Sequence, residues 1–251
     1  VKLFVLSDVH VDYNPNMQWL EGLRSHKEDG CVSILILAGD VASNLEKLER
    51  CFTTLREKFD EVVYIPGNHE FWINQGHESR SLVNSLDKLE QILEVCRQQG
   101  VRANPCLVSL EGPDSRGDRR RSDLLLLPLF SWYHASWDKE PELPPSAYES
   151  IKIKGLPAFE ERWADFRYCK WPEVPDQGLA DMFAKLNEPW VEMFATVKSK
   201  RESIKVITLS HFVPRQELVP EKRFLITSEL PKVVGSDLIE RQLRQVKSDL
   251  H

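Results

Sequence analysis

The sequence lacks both a long apolar run and an excess of positive charge. No hydrophobic segment approaches the roughly 20 apolar residues that a membrane-spanning helix needs, so no membrane association is predicted. The chain carries 33 Lys and Arg against 39 Asp and Glu, a formal net charge of -6. Because no global basic field attracts a polyanion, this balance disfavours long nucleic acid as a ligand. A small phosphorylated substrate needs no such field if metal ions supply the positive charge.

Cysteine is also scarce, and its spacing argues against two further classes of protein. The five cysteines are widely spaced, and none forms a Cys-x-x-Cys pair: Cys31, Cys51, Cys96, Cys106 and Cys169. Neither a zinc ribbon nor a disulfide framework is therefore indicated. Free thiols favour a reducing intracellular compartment such as the cytoplasm. Because the chain opens with Val1 rather than Met, the lack of a signal peptide says little about location.

What the sequence does contain is an alternation of strands and helices in its first third. Three short apolar runs are typical of strands buried on both faces: residues 3–6, 34–37 and 62–65. Between the last two runs, apolar residues repeat at helical spacing over 45–59, and Ser43 with Glu46 predicts a capping box at the start of this helix. A further helix is predicted over 82–96. This order predicts neighbouring strands with helices packed outside them.

The second half contains strands without that regular alternation. The predicted elements are strands at 106–110, 124–132 and 204–209, and a final capped helix at 236–246. Residues 134–189 are rich in proline and tryptophan, and regular secondary structure is hard to place there. Such a long excursion is often a functional lid, although packing on a remote face to shield a sheet edge explains it equally well. Residues 1–251 show no repeat, linker or low-complexity segment and are interpreted as one domain.

Polar residues of metal-binding type follow the predicted buried strands. They are Asp8 and His10, then Asp40, then the triplet Asn68, His69 and Glu70, and finally His211 after the strand at 204–209. The carboxyl ends of strands are where α/β sheets place their sites, so these side chains are expected to converge. Asp8 and His10 stand two apart, and an extended backbone would point both side chains to one side. Each pair alone is a weak signal, because such residues are also common in ordinary turns.

The ordered set is more specific than its parts. Asp8-x-His10, Gly39-Asp40 and Gly67-Asn68-His69-Glu70 resemble, residue by residue, the motifs of the calcineurin-like metallophosphoesterases, and His211 is a looser match. The resemblance implies an α/β fold, the metallo-dependent phosphatase-like four-layer α/β/β/α sandwich of two mixed sheets. It also implies metal-dependent hydrolysis of a phosphomonoester or phosphodiester. The nearest alternative is pyrophosphate cleavage of a nucleotide derivative, and an alternative of another class is a non-catalytic binding module on the same fold.

The resemblance also assigns roles to residues. It implies two divalent transition-metal ions, either manganese, iron or zinc, which suit a mixed imidazole and oxygen ligand set better than calcium does. The implied ligands are Asp8 and His10 for one ion, Asn68 and His211 for the other, and Asp40 as the bridge. A hydroxide shared by the ions would be the nucleophile. His69 would bind no metal and would act catalytically, by stabilising charge on the phosphate or by protonating the leaving oxygen.

Two further positions give weaker signals. Glu70 would orient a neighbouring ligand, although burial at a helix start explains it nearly as well. His134 belongs to an aromatic cluster with Trp132, Tyr133 and Trp137, which either stacks on an organic leaving group or fills a core. The excursion offers flat surfaces able to cover a leaving group at Trp137, Tyr148, Trp163, Tyr168 and Trp171.

One departure from the family pattern concerns the end of the chain. The pattern ends in a Gly-His-x-His block that supplies one ligand to each ion, and this sequence has none. His251 does not match it, because Leu250 precedes it where Gly is expected. Residues 249–251 resemble the start of the strand leading into that block, so truncation is favoured over genuine loss. The retention of His69 favours the enzyme, because a binding module has no use for a phosphate-facing imidazole.

Overall fold

A computed structural model describes residues 1–27, 30–73, 82–113, 119–144, 158–174, 176–201 and 203–251. Its strands are β1 (Lys2–Leu6), β2 (Ser33–Ala38), β3 (Glu61–Ile65), β4 (Cys106–Pro113), β5 (Arg119–Pro128) and β6 (Lys205–Leu209). Its α-helices are α1 (Asn14–Glu21), α2 (Leu45–Lys58), α3 (Ser85–Gln99), α4 (Phe159–Arg162), α5 (Ala164–Tyr168), α6 (Asp176–Lys200) and α7 (Asp237–Gln245). Within these residues, no helix is long and apolar enough to cross a membrane.

The first three strands form a parallel sheet in the order β1-β2-β3. The central strand β2 is buried along almost its whole length, which accounts for its continuous apolar run. The prediction that β1 is buried on both faces is wrong, since Val5 is 65% exposed. The reason is an open cavity of about 400 Å³ between the two sheets, lined by Val5 on one side and by Ile207 and Leu250 on the other.

The second sheet has the order β4-β5-β6. β4 and β5 are antiparallel, whereas β5 and β6 are parallel, so the second sheet is mixed, as predicted. The first sheet differs from the predicted mixed sheet, because its described strands are all parallel. β5 starts and ends earlier than the predicted strand at 124–132. Leu250 forms an isolated parallel bridge with Ile207, beside β6.

Alternation along the strands divides the apolar side chains among three cores. Leu35 of β2 packs against α1, α2 and α3, whereas its neighbour Ile34 faces the second sheet. In β5, Leu126 faces the first sheet and Leu125 packs with apolar residues of α6 and α7. Burying each such side chain contributes roughly 1.5–3 kcal/mol. Helices therefore cover the outer face of each sheet while the inner faces pack together, which confirms the predicted four-layer α/β/β/α arrangement.

The predicted capping box of α2 is wrong by one residue. Asn44 is the N-cap, and its side-chain oxygen accepts a hydrogen bond from the amide of Lys47 at 3.0 Å. Ser43 lies one residue before this cap, and its amide donates to the carboxylate of Asp12. Asn and Ser are about equally good N-caps, so neighbouring cap residues cannot be separated by propensity.

The excursion at 134–189 is less irregular than predicted. Its last part, 176–189, belongs to α6, and Pro189 lies inside that helix. A proline in a helix interior costs roughly 3 kcal/mol. The helix offsets this cost because it buries Leu179, Phe183 and Val191 in the core beneath the second sheet, at roughly 1.5–3 kcal/mol for each side chain. Residues 158–174 include α4 and α5, whereas 145–157 lie outside the described residues.

Candidate metal centre

The loops that follow β1, β2, β3 and β6 meet at one end of the sandwich. Asp8, His10 and Asp40 have left-handed backbones, with φ of 54°, 45° and 52°. A non-glycine residue in this conformation costs on the order of 1 kcal/mol, and such residues concentrate at functional sites. The expectation that an extended backbone aims Asp8 and His10 is therefore wrong. Left-handed turns aim them, and backbone hydrogen bonds from Asp8 to Gly39 (3.1 Å) and from His10 to Asp40 (3.0 Å) join the two loops.

The loops approach one another so closely that two positions require glycine. A Cβ atom at Gly39 would lie 2.6 Å from Nδ1 of His211 and 2.7 Å from the amide nitrogen of Gly67. A Cβ atom at Gly67 would meet the side chain of Asp40 and lie 2.6 Å from its amide nitrogen. Gly39 also has a φ of 84°, which other residues rarely adopt. The absence of both side chains lets Asp40 and His211 come together.

The converging side chains line a cavity of about 520 Å³, which we call the metal cavity after these candidate ligands. Its lining includes every predicted metal ligand and the predicted catalytic histidine: Asp8, His10, Asp40, Asn68, His69 and His211. Asp40 lies at the centre of this set. Its Oδ1 is 3.5 Å from Nε2 of His211, and its Oδ2 is 3.6 Å from Nε2 of His69. The same Oδ2 is 4.0 Å from Nε2 of His10.

Two groups of side chains in this cavity could hold a metal ion. One consists of His10, Asp40 and His69, and the other of Asp8, Asp40 and His211; within each group the ligand atoms lie within 4.8 Å of one another. Asp40 belongs to both groups, which is the position that a carboxylate bridging two cations requires. Asn68 adds its amide oxygen, 3.3 Å from Nε2 of His211. This donor set of imidazoles, carboxylates and an amide suits manganese, iron or zinc.

The electrostatics of the cavity also fit a metal centre. Burial, aided by the negative charge of Asp8, raises the pKa of Asp40 to about 7, although a hydrogen bond from the amide of His69 opposes the shift. Burial, aided by His10 and His211, lowers the pKa of His69 to about 4. Without cations, the protein thus stabilises the ionised form of neither group. Divalent ions would favour the ionised carboxylate and a neutral imidazole, so these residues fit a metal centre.

Glu70 holds two of the loops together from beneath the cavity. The side chain is fully buried, and its carboxylate accepts hydrogen bonds from the amides of Gly67 (2.7 Å), Asp40 (3.0 Å), Val41 (2.5 Å) and Ala42 (3.1 Å). Burial, aided by the negative charge of Asp40, raises the pKa of Glu70. The residue is both buried and attached to the backbone that positions Asp40.

Asp165 is a functional candidate that the sequence did not indicate. Its Oδ1 accepts hydrogen bonds from Nδ2 of Asn68 at 2.8 Å and from Nε1 of Trp72 at 2.6 Å, and its Oδ2 accepts one from Nε1 of Trp163 at 2.9 Å. Because the amide nitrogen of Asn68 is engaged by Asp165, the amide oxygen faces the metal cavity. The only sequence signal was an acidic residue beside a tryptophan in an excursion without periodicity, which is too common to be informative.

We expect replacement of Asp165 by Ala to weaken metal binding. The Asn68 amide would lose the acceptor that fixes its orientation, and loss of such supporting contacts typically reduces metal affinity by about 10–100-fold. Isothermal titration calorimetry with Mn²⁺ measures the change. Asp181→Ala, which removes an exposed carboxylate of α6, serves as the control and should bind Mn²⁺ like the unchanged protein. Equal Mn²⁺ affinity in both variants would show that Asp165 does not position Asn68.

The structure does not bring His134 to the metal cavity. His134 is buried, with Nε2 2.8 Å from Oδ1 of Asp237 and Nδ1 3.0 Å from Oγ of Ser136. It lines a neighbouring cavity of about 320 Å³. The two cavities adjoin each other, because Asp165 and Val233 line both.

The aromatic residues of the excursion are distributed over several places. Trp163 lines the metal cavity, whereas Trp171 lines the neighbouring one. Trp132 and Trp137 are buried, which agrees with the interpretation of their cluster as part of a core. Tyr148 lies outside the described residues. Part of the excursion therefore forms a wall of the metal cavity.

The family follows from the combination of fold, site and sequence. Residues 1–128, about half of the chain, match the family model described as calcineurin-like phosphoesterase. The chain belongs to the calcineurin-like phosphoesterase family, which confirms the resemblance seen in its motifs.

Two comparisons, one of sequence and one of structure, both lead to the protein named PptH. The chain is 27% identical over 160 residues to the [Acyl-carrier-protein] phosphodiesterase PptH of Mycobacterium tuberculosis, which covers 64% of this chain and 44% of that relative. The chain thus spans less than half the length of this curated relative. The crystal structure of Phosphopantetheinyl Hydrolase (PptH) from Mycobacterium tuberculosis superposes with a TM-score of 0.68 at 17% identity, over 97% of this chain and 78% of that one. This structural likeness shows a shared fold.

Proposed function

We propose that this protein hydrolyses a phosphomonoester or phosphodiester with two divalent metal ions held in the cavity of about 520 Å³. The observation that carries the proposal is the position of Asp40, whose carboxylate is shared by two groups of ligand side chains. In this proposal Asp40 bridges the ions, as the family resemblance implies. When bound, the ions supply positive charge that activates water and stabilises the phosphoryl group.

The proposed ligands divide between the two ions. As the family resemblance implies, Asp8 and His10 serve one, and Asn68 and His211 serve the other. The structure itself groups Asp8 with His211 and His10 with His69 around Asp40, so this division is the part of the proposal that rests on the resemblance. The short distances from Asp40 to His211 (3.5 Å) and to His10 (4.0 Å) support ligands on both sides of the bridge. Manganese, iron and zinc are the proposed metals, because the donors are imidazole nitrogens and carboxylate or amide oxygens.

A small phosphorylated substrate is proposed rather than nucleic acid, because the net charge is -6 and provides no global attraction for a polyanion. Among small substrates, an organic phosphodiester is the favoured class. The similarity to a protein named as a phosphodiesterase and the aromatic-lined cavity beside the metal cavity both support it. The five cysteines are free thiols, which supports a reducing compartment as the place of action.

The direct test is an assay of the full chain with Mn²⁺ against bis(p-nitrophenyl) phosphate, p-nitrophenyl phosphate and a nucleoside diphosphate derivative. We expect Mn²⁺-dependent release of p-nitrophenol that a chelator abolishes and added Mn²⁺ restores. Preferential cleavage of the nucleotide derivative would instead favour the pyrophosphatase alternative. Tight Mn²⁺ binding without turnover of any ester would favour a binding module.

We further propose that residues 158–174 of the excursion restrict which phosphoesters enter. Trp163 forms part of the cavity wall, so Trp163→Leu should raise kcat/KM for bulky diesters relative to small ones by about tenfold. Asp165 keeps two other hydrogen-bond donors in this variant, so Mn²⁺ content should be unchanged. Trp190→Leu is the control, because Trp190 lies on α6 and does not line this cavity. An unchanged preference in a folded, Mn²⁺-loaded Trp163 variant would contradict the proposal.

A further inference from the structure

Arg162, the last residue of α4, has a guanidinium group that is only partly satisfied by the protein. Its side chain lines the metal cavity and is 25% exposed. Its Nε is buried, yet has no hydrogen-bond partner among the described residues. Its ion-pair partner among the described residues is Glu229. Nη2 of Arg162 and Oε2 of Glu229 are 3.7 Å apart, which is too far for a good hydrogen bond. The guanidinium carbon lies 5.6 Å from the ring centroid of Phe159, which helps to hold the group in place.

A buried donor without a partner is rare, because native proteins satisfy nearly all such groups, so the described residues leave part of the hydrogen-bonding capacity of this guanidinium unused. The Nε itself has almost no accessible surface, so a ligand in the cavity would contact the exposed quarter of the side chain. A guanidinium presents its N–H donors in a planar fork that matches the oxygens of a phosphoryl group, and it stays protonated at every physiological pH. Among the described residues that line this cavity, Arg162 is the only one with a permanently positive side chain.

The charges around Arg162 also favour an oxyanion. The three described carboxylates that line the cavity have other partners: Asp165 accepts hydrogen bonds from Asn68 and Trp72, Asp40 belongs to both groups of ligands, and Asp8 belongs to one. Glu229 is one-third exposed, and its distance from Arg162 leaves the guanidinium free to make shorter hydrogen bonds. Bound cations would offset the negative charge of the carboxylates in this cavity. The positively charged guanidinium is then available to bind the negatively charged oxygens of a substrate.

We propose that the guanidinium of Arg162 binds a non-bridging oxygen of the substrate phosphoryl group through those of its N–H donors that the cavity exposes. This inference rests on the proposed function and adds a substrate-binding residue to it. The ligand class is a tetrahedral phosphoryl group, either that of the ester or that of inorganic phosphate. The wall formed by Arg162 and Trp163 would thus contribute an anion-binding group as well as a boundary.

The test uses Arg162→Met, which keeps the length of the side chain and removes its donors, and Arg162→Lys, which keeps only the charge. Arg167→Met is the matched control, because Arg167 lies in the same segment over the ring of Tyr168, 5.3 Å from its centroid, and does not line the cavity. For Arg162→Met we expect the dissociation constant of inorganic phosphate for the Mn²⁺-loaded protein, and KM for the ester, to rise about 10–100-fold, as loss of charge-assisted hydrogen bonds predicts. Arg162→Lys should show a smaller rise, and Arg167→Met none. Mn²⁺ content should be unchanged in all three.

The outcomes separate this inference from the proposed function. Unchanged phosphate affinity in Arg162→Met, with the unchanged protein still hydrolysing esters, overturns the inference and leaves the function standing. A phosphate affinity that depends on Arg162 in a protein without turnover supports the inference and contradicts hydrolysis. If both Arg162 variants lose Mn²⁺, and phosphate affinity falls only as far as the lost Mn²⁺ explains, the inference is also overturned. If Arg162→Met does not fold, the phosphate affinity of Arg162→Lys decides, since an unreduced affinity contradicts a role for the guanidinium fork.

Discussion

Replacing Asp40 with Asn is expected to remove most of the bound metal and to lower turnover by at least about 100-fold, the upper range for supporting residues of metal sites. The carboxylate is shared by both groups of ligands, and the amide would carry no negative charge to a bridge between cations. Asn is the appropriate substitution because it tolerates the left-handed backbone of this position, where φ is 52°. Its side-chain oxygen can also keep accepting the hydrogen bond from the amide of His69.

A stability measurement separates this loss from misfolding. Burial raises the pKa of Asp40 from 3.8 to about 7, so the folded, metal-free protein binds more protons than the unfolded chain between these values. Stability contributed by this group therefore falls as the pH rises from about 4 to 7. In a chelator at pH 8, the metal-free Asp40→Asn protein should melt at a higher temperature than the metal-free unchanged protein, and the gap should close near pH 4. Metal content equal to that of the unchanged protein would contradict the bridging role.

The convergence of the candidate metal ligands could be predicted largely from the sequence, because each motif follows a strand. Each short motif was ambiguous alone, but Asp8, Asp40 and Asn68 each follow a strand of the same parallel sheet, whose carboxyl ends necessarily meet. The convergence of these residues was predicted partly by an incorrect route, since left-handed turns and not an extended backbone aim Asp8 and His10. Local conformations of this kind depend on the close approach of neighbouring loops, which a strand pattern does not contain.

The residues of the excursion could not be predicted in the same way. Asp165 and Arg162 belong to short helices without a hydrophobic period, and Asp165 contacts Asn68 across 97 positions of sequence. Nothing local marks a carboxylate or a guanidinium that will face a cavity formed by distant strands. The proline-rich composition of 134–189 misled for the opposite reason. It made a helix hard to place there, yet α6 contains Pro189, because the apolar face that this helix buries in the core outweighs the cost of the proline.

The Asn substitution of His69 is expected to lower turnover by about 10²–10⁴-fold, the usual contribution of a positioned acid, base or hydrogen-bond donor. Most of the Mn²⁺ should stay bound. The residue resembles the family histidine that faces the phosphate, and its ring is stacked on Trp72 with centroids 3.6 Å apart, which fixes its orientation at the cavity wall. Such a fixed imidazole can donate a hydrogen bond to a phosphoryl oxygen without serving as a ligand.

Metal content is the decisive measurement for His69, because distance alone does not separate its role from that of a ligand. Nε2 of His69 lies 3.6 Å from Asp40, nearly the same as the 3.5 Å for Nε2 of His211. His10→Asn is the matched control: its ring lies 4.5 Å from that of His69, and as a proposed ligand it should lose Mn²⁺ together with activity. If His69→Asn lost Mn²⁺ as fully as Asp40→Asn, His69 would be a ligand. Retained Mn²⁺ with lost turnover would instead locate His69 at the substrate. His69 would then act beside Oδ2 of Asp40, the oxygen that Nε2 of His10 also approaches.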